Sequence, residues 1–304
     1  MKKRRHHYVW QMYLKAWSLD DQIACLRNGL TFRCGTISVA VQKDFYRLKD
    51  VTRSDLEAIK LTCFDRCEPG LRKLNEGWIP FFRTIFELKR LYEASGRNDA
   101  DVAQAIDEAI SNAEEDLHTG IEAGAAHQLT ALRQDDLSFL ASDDELATFV
   151  HYLGVQYMRT AKMRAKCLAA MGRHALPGFD GARAWGLLSH IFATNIGASL
   201  YRDRRRLGIT LLKTTSDIEL ITADQPLINL RAISPGGGRD DEFQLYYPIA
   251  PTAALLIDPT RPQRETAIRV LTSAEANEYN RTLFAQTHEQ SYATNESLLQ
   301  SYLS

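Results

Sequence analysis

Cysteine is scarce in this chain of 304 residues, and what there is makes no pattern. Cys25, Cys34, Cys63, Cys67 and Cys167 are odd in number and irregular in spacing, which excludes a disulfide framework. Cys63 and Cys67 sit one helical turn apart with no second Cys or His pair nearby, so a structural zinc finger is not expected. Long apolar runs are also missing. The longest stretch without a formal charge, residues 184–201, still carries Ser189, His190, Thr194, Asn195 and Ser199, too polar to span a membrane. No apolar core with a small-residue cleavage site follows the basic opening Lys2 to Arg5, so a signal peptide is not expected. A cytoplasmic protein with no membrane contact is the expectation. Charge of one sign is lacking too: 37 Lys+Arg face 38 Asp+Glu, for a net charge of -1. That excludes a wholly basic nucleic-acid coat but leaves room for a local basic groove. No Walker loop, GxGxxG, GxSxG or HExxH is present. ATPase, Rossmann oxidoreductase, α/β-hydrolase and zincin readings therefore lose support.

What remains is an ordinary globular composition, 45% hydrophobic and 25% charged, without repeats or low-complexity tracts. Residues 22–33 alternate around Asn28-Gly29, a strong hairpin signal because both residues tolerate positive φ. Residues 37–48 read as a strand and a turn. From about residue 54 to 206 the periodicity is helical. Ser54 is the expected cap of the first helix. A helix over 71–94 should be kinked or split by Pro80. Two helices are expected over 99–118 and 120–133, one from Ser142 to about Met171, and a buried one over 181–204. Strand patterns then return in ITLLKT and IELITA, with a turn at Thr215-Ser216-Asp217. Residues 235–241 read as a flexible loop, 245–257 as one strand, and a last helix starts near Ser273. This order predicts an α+β fold. A small mixed or antiparallel sheet is built from N- and C-terminal strands, with a large helical middle inserted at about 54–206, all in one domain of residues 1–304.

Three constellations carry chemistry. In the first, His6-His7, followed by Tyr8, Trp10, Met12 and Tyr13, offers imidazoles that accept or donate a proton near neutral pH, or ligate a metal. A basic tail is the plain alternative. In the second, Gln156 lies on a helical face with Phe149, Leu153, Thr160, Met163 and Cys167, and Arg159 adds a planar donor fork suited to phosphate. A buried Gln–Arg structural network, or a salt bridge to an acid, is the alternative. In the third, Thr222-Ala223-Asp224-Gln225-Pro226 puts a carboxylate at a strand end, where it can orient a histidine or simply make a turn. Glu122 and the Asn280-Arg281 pair are smaller candidates that surface solvation also explains. The Arg202–Arg206 cluster reads as a phosphate patch or as arginines at a helix C-terminus.

These residues resemble the opening of an uncharacterised bacterial family of unknown function, which begins His-His-x-Val-Pro-x-x-Tyr-Leu. Here His6, His7, Val9, Tyr13 and Leu14 match it, and Trp10 replaces the proline. Later blocks are similar in the same order: Lys43 to Tyr46, Ile121-Glu122, Gln156-Arg159-Thr160, Thr222 to Pro226, Tyr247 to Pro251, and Asn280. Ala223 replaces a serine. The resemblance brings no activity with it.

The expectation is one cleft that gathers His6, His7, Glu122, Gln156, Arg159, Thr160, Thr222, Asp224 and Asn280. Two histidines, a carboxylate and an arginine suit phosphodiester chemistry. One histidine is base, the other acid, Arg159 stabilises the developing charge, and Asp224 orients a histidine. Glu122, Gln156, Thr160, Thr222 and Asn280 hold substrate. This reading is a nuclease favouring RNA, best placed as a toxin or phage-defence effector, with an antitoxin or defence-system protein as partner. No cofactor is expected unless the enzyme is metal-dependent, when His6, His7 and Asp224 would be the ligands. A ligand-sensing or protein-binding module using the same cleft is the alternative.

Overall fold

The computed structural model describes residues 1–65, 67–173, 176–215, 218–233, 243–258 and 266–303. Strand β1 (Arg5–His7) and the short helix α1 (Gln11–Leu14) come first. Strands β2 (Gln22–Arg27) and β3 (Leu30–Gly35) form the hairpin expected at Asn28-Gly29, whose φ angles of 53° and 76° fit the tight turn. Strand β4 (Val41–Lys43) returns to pair antiparallel with β1, setting His6 opposite Gln42.

The helical middle holds α2 (Arg53–Ile59), α3 (Pro69–Glu76), α4 (Trp78–Ala94), α5 (Ala100–Arg133), α6 (Asp143–Met158), α7 (Ala161–Gly172) and α8 (Gly181–Arg202). Thr52 rather than Ser54 caps α2, because Thr52 and Asp55 form a reciprocal capping box. The expected break near Pro80 falls at Gly77, and Pro80 sits in the first turn of α4, where proline costs little. The two helices expected over 99–133 are one 34-residue helix. Gly120 and Gly124 weaken it locally, but burial of its Ile110–Leu132 face carries it through. Conversely, the helix expected from Ser142 to Met171 is interrupted: α6 ends at Met158, and Thr160 caps α7 by accepting from the Met163 amide. Helices α6 and α8 cross at close range, since a Cβ on Gly154 would lie 2.3 Å from the Ala193 carbonyl oxygen.

The C-terminal part contributes β5 (Gly208–Lys213), β6 (Thr222–Ala223), β7 (Ile228–Asn229), β8 (Leu245–Ala250), β9 (Ala253–Asp258), β10 (Thr266–Val270), α9 (Ser273–Ala285), β11 (Gln290–Ala293) and α10 (Glu296–Gln300). The strand expected over 245–257 is a hairpin, β8 and β9, turning at Pro251-Thr252. The stretch 235–241 and two residues of the turn expected at 215–217 lie outside the described residues.

The fold is α+β as expected, with small sheets around a large helical middle. One four-stranded sheet, in the order β3-β2-β11-β6, joins the N-terminal hairpin to C-terminal strands. A second, β10-β5-β9-β8-β7, is mixed, because β10 runs parallel to β5 while the other pairs are antiparallel. Tyr13 fastens the N-terminal motif between the two sheets. Its hydroxyl bonds to Thr222 Oγ1 at 2.6 Å and to the Pro248 carbonyl at 2.7 Å, and its ring stacks on Tyr247 at 5.0 Å. Among the described residues no helix is long and apolar enough to cross a membrane.

Candidate functional site

Strand β1 is laid along α5 by charge. Lys2 pairs with Asp107 at 2.7 Å and Lys3 with Asp116 at 2.5 Å, so this basic run is not a free tail. Exposed pairs of this kind contribute little energy. Their consequence is geometric: His7 is brought over the Glu115–Glu122 stretch of α5. Between them lies a cavity of about 310 Å³, with His7, Trp10, Lys15, Glu115, His118, Glu122 and Arg159 in its walls.

Arg159, in the break between α6 and α7, closes the back of this cavity. It is 3% exposed. Its Nε donates to the Tyr46 hydroxyl at 2.9 Å, one terminal nitrogen pairs with Glu122, and the other donates to the His7 carbonyl at 2.5 Å. The Tyr46 hydroxyl in turn donates to the Arg159 carbonyl at 3.2 Å. A guanidinium has five N–H donors, so one on each terminal nitrogen remains. Burial pulls the Arg159 pKa down, but Tyr46 and the Glu122 carboxylate outweigh burial and raise it, so Arg159 stays a cation. Glu122 is thus a buried partner of Arg159 rather than a solvated surface acid.

The two adjacent histidines have separate roles. His6 is fully buried, stacked on Tyr46 at 5.8 Å. Its Nδ1 accepts from the Tyr46 amide at 2.8 Å, and its Nε2 faces the Lys3 carbonyl at 3.3 Å. Both ring nitrogens are therefore occupied by backbone. His7 is partly exposed in the cavity wall, with Nε2 at 3.2 Å from the Ile37 carbonyl. That contact assigns the proton to Nε2 and leaves Nδ1 as an acceptor. Burial, opposed by the Ile37 carbonyl and aided by Arg159, holds the His7 pKa below the ordinary histidine value.

The remaining expected residues sit outside this cavity. Asp224 accepts from the amides of His288, Glu289 and Gln290 at 2.9, 2.7 and 3.0 Å, so its carboxylate fixes the turn entering β11 instead of orienting an imidazole. Thr222 bonds to Tyr13 and Thr160 to Gln225. Asn280, expected to hold substrate, is fully buried and bridges the Ile221 amide, the Glu219 carbonyl and the Tyr302 hydroxyl. Gln156 is fully buried, and both atoms of its amide lack a hydrogen-bond partner. Of the Arg202–Arg206 cluster, Arg204 pairs with Asp143 at 2.8 Å and Arg202 with Asp203 at 3.6 Å.

Below the cavity lies a group that no sequence motif marks. Glu114 and His118, one turn apart on α5, meet His190 of α8. One ligand atom from each lies within 4.8 Å of the others. Both imidazoles are buried against aromatic rings, His118 at 4.4 Å from Tyr46 and His190 at 4.8 Å from Trp78. Burial drives the His190 pKa down to about 3 and the Glu114 pKa up to about 8. Among the described residues, this set rather than His6, His7 and Asp224 has the convergence that can in principle hold a metal. The sequence holds only a faint sign of it: an i, i+4 Glu-His pair on one helix, and a lone histidine inside an uncharged buried stretch. Tyr46, which touches His6, Arg159 and His118, is likewise visible in the sequence only as part of the Lys43–Tyr46 block.

A larger cavity, about 570 Å³, lies beside α9. Gln244, Glu275, Glu278, Tyr279 and Gln286 are among its lining residues, and among the described residues no histidine or cation is. The model of one protein family, DUF4238, described as a protein of unknown function, matches residues 5–176 and 187–297. No curated protein and no solved structure matches the chain.

Proposed function

The chain belongs to the DUF4238 family, whose description carries no activity, and from that premise we propose that the cavity between β1 and α5 is a hydrolytic site for phosphodiesters, with single-stranded RNA as substrate. The observation that carries this reading is the meeting of His7, with an acceptor nitrogen, and Arg159, with two unspent N–H groups, in the walls of one cavity. At about 310 Å³ it falls at the small end of ligand pockets. Trp10 in the wall offers a face for a base, and Lys15 a cation for a backbone phosphate.

In this reading a water oxygen bonds to phosphorus while its proton passes to His7 Nδ1. The ester P–O bond breaks, its electron pair leaves on the departing oxygen, and that oxygen takes the proton back from the imidazolium. Arg159 stabilises the charge developing on the phosphoryl oxygens. Its clamping by Glu122, Tyr46 and the His7 carbonyl fixes the donors before substrate arrives. His6 and Tyr46 act as positioning residues. A toxin or phage-defence effector is the setting this chemistry fits, with an antitoxin or defence-system protein as partner.

The test is cleavage of a fluorescently labelled single-stranded RNA by the purified chain and by His7→Gln. The wild type should cleave, and the variant should lose about 10²–10⁴-fold in rate with its melting temperature unchanged, the range for a lost proton-transfer group. Binding without cleavage by the wild type would favour a ligand-binding module in the same cavity. The absence of both binding and cleavage would refute the reading.

A further inference from the structure

We propose that Glu114, His118 and His190 bind one divalent first-row transition-metal ion at the floor of the cavity. The geometry is close to what an ion needs. Nε2 of His118 and Nε2 of His190 lie 3.9 and 3.8 Å from the same Glu114 oxygen. Metal–ligand bonds of about 2.1 Å set neighbouring ligand atoms roughly 3.0–3.4 Å apart. Small side-chain rotations close that difference. Gly186 of α8 leaves the space: a Cβ there would sit 2.9 Å from a Glu114 oxygen.

A second observation is independent of the cluster. All four ring nitrogens of His118 and His190 lack a hydrogen-bond partner, although the residues are 2% and 1% exposed. Buried polar side-chain atoms are paired in the large majority of cases, and two adjacent imidazoles orphaned at every nitrogen need a cause. Ligation satisfies one nitrogen of each ring.

Charge points the same way. Glu114, Glu115 and Glu122 are buried or half-buried around this floor, and Arg159 pairs with Glu122 alone. A cation bound at this floor would offset part of that carboxylate charge, as Arg159 and Arg164 already do for Glu114. Two histidines and one carboxylate leave coordination positions open for water or substrate. His118 also lines the cavity, so the cluster adjoins it. The use of such an ion, polarising a phosphoryl oxygen or a bound water, rests on the hydrolytic reading above; the binding itself does not.

The experiment strips the full chain with a chelator and titrates it with Zn²⁺ by calorimetry and with Co²⁺ by visible absorption. One equivalent should bind, and the cobalt spectrum should lack intense thiolate charge-transfer bands. Glu114→Gln and His190→Ala should each weaken Zn²⁺ binding more than about 100-fold, the upper end of what even an outer-shell loss costs. Cys63→Ser and His127→Ala should leave it unchanged. If His190→Ala fails to fold, the wild-type cobalt spectrum and the near-isosteric Glu114→Gln still decide. No stoichiometric uptake of either ion, or unchanged affinity in Glu114→Gln, would overturn the inference. Metal uptake without RNA cleavage would uphold it and sink the hydrolytic reading. RNA cleavage by a chain that takes up no metal would do the reverse.

Discussion

Replacing Arg159 by alanine removes the centre of the buried network and leaves three groups behind. Glu122, 8% exposed, loses its counter-ion. The Tyr46 hydroxyl and the His7 carbonyl lose donors at 2.9 and 2.5 Å. An orphaned neutral group costs about 1–3 kcal/mol, and a buried ion pair broken by removing one partner costs about 3–5 kcal/mol. These overlap, because Glu122 responds to the lost cation by taking up a proton, so we take about 3–5 kcal/mol as the total. Urea denaturation of Arg159→Ala, Glu122→Gln and the double variant Glu122→Gln/Arg159→Met measures it. If the stranded carboxylate causes most of the loss, the double variant should be no less stable than Arg159→Ala, since neither charge remains to be stranded. A loss below about 1 kcal/mol in Arg159→Ala, or strictly additive losses in the double variant, would refute the assignment of Arg159 to a desolvated pair.

Arg159→Lys keeps a positive charge but not the fork; RNA cleavage should fall further than stability does, and equal falls would remove Arg159 from the chemistry. His6→Ala should lower the unfolding midpoint because the Tyr46 amide loses its acceptor, with cleavage per folded molecule falling far less than in His7→Gln; an equal fall in a stably folded variant would place His6 in the chemistry itself. The rate of cleavage should rise with pH through a value below the ordinary histidine pKa and then level off, because His7 must be deprotonated to act and its pKa is lowered by burial and Arg159; a rate that falls with rising pH across that range would exclude it as base. Asp55 is raised by burial but pulled down to about 2 by Arg183, the Asp180 amide and Thr52. Its stabilisation is therefore present above the unfolded carboxylate pKa of about 3.9 and is lost as pH falls toward 2, and Asp55→Asn should flatten that acid limb. Gly154→Ala should cost about 1–3 kcal/mol or more, because its methyl would meet the Ala193 carbonyl of α8 at 2.3 Å; a neutral substitution would mean that α6 and α8 can separate.

The sequence showed best what is decided locally. Asn28-Gly29 makes its own turn, and Ser142 caps α6, because backbone and side chain a few residues apart settle both. What tertiary packing decides was hidden. The pattern reads as two helices, 99–118 and 120–133, yet α5 runs through Gly120 and Gly124 because its buried face is continuous. The four-residue β11, Gln290–Ala293, has no alternation, since all four residues are buried between β2 and β6. The site divides in the same way. His7 and Arg159 stood out as chemistry-bearing motifs, Glu122 only as a smaller candidate, and all three line one cavity. His6 and Asp224 looked equivalent to them, and only the fold reveals that backbone groups consume their hydrogen-bonding capacity. Glu114, His118 and His190 carry no linear signature because two helices far apart in sequence supply them.

A structure of the chain with a short, non-hydrolysable RNA analogue tests the central claim most directly. The expected result is a phosphate between His7 and Arg159, its oxygens on the free N–H groups of the guanidinium, and a base against Trp10. An analogue seated instead in the larger cavity beside α9, or one that leaves the β1–α5 cavity unoccupied at saturating concentration, would contradict it.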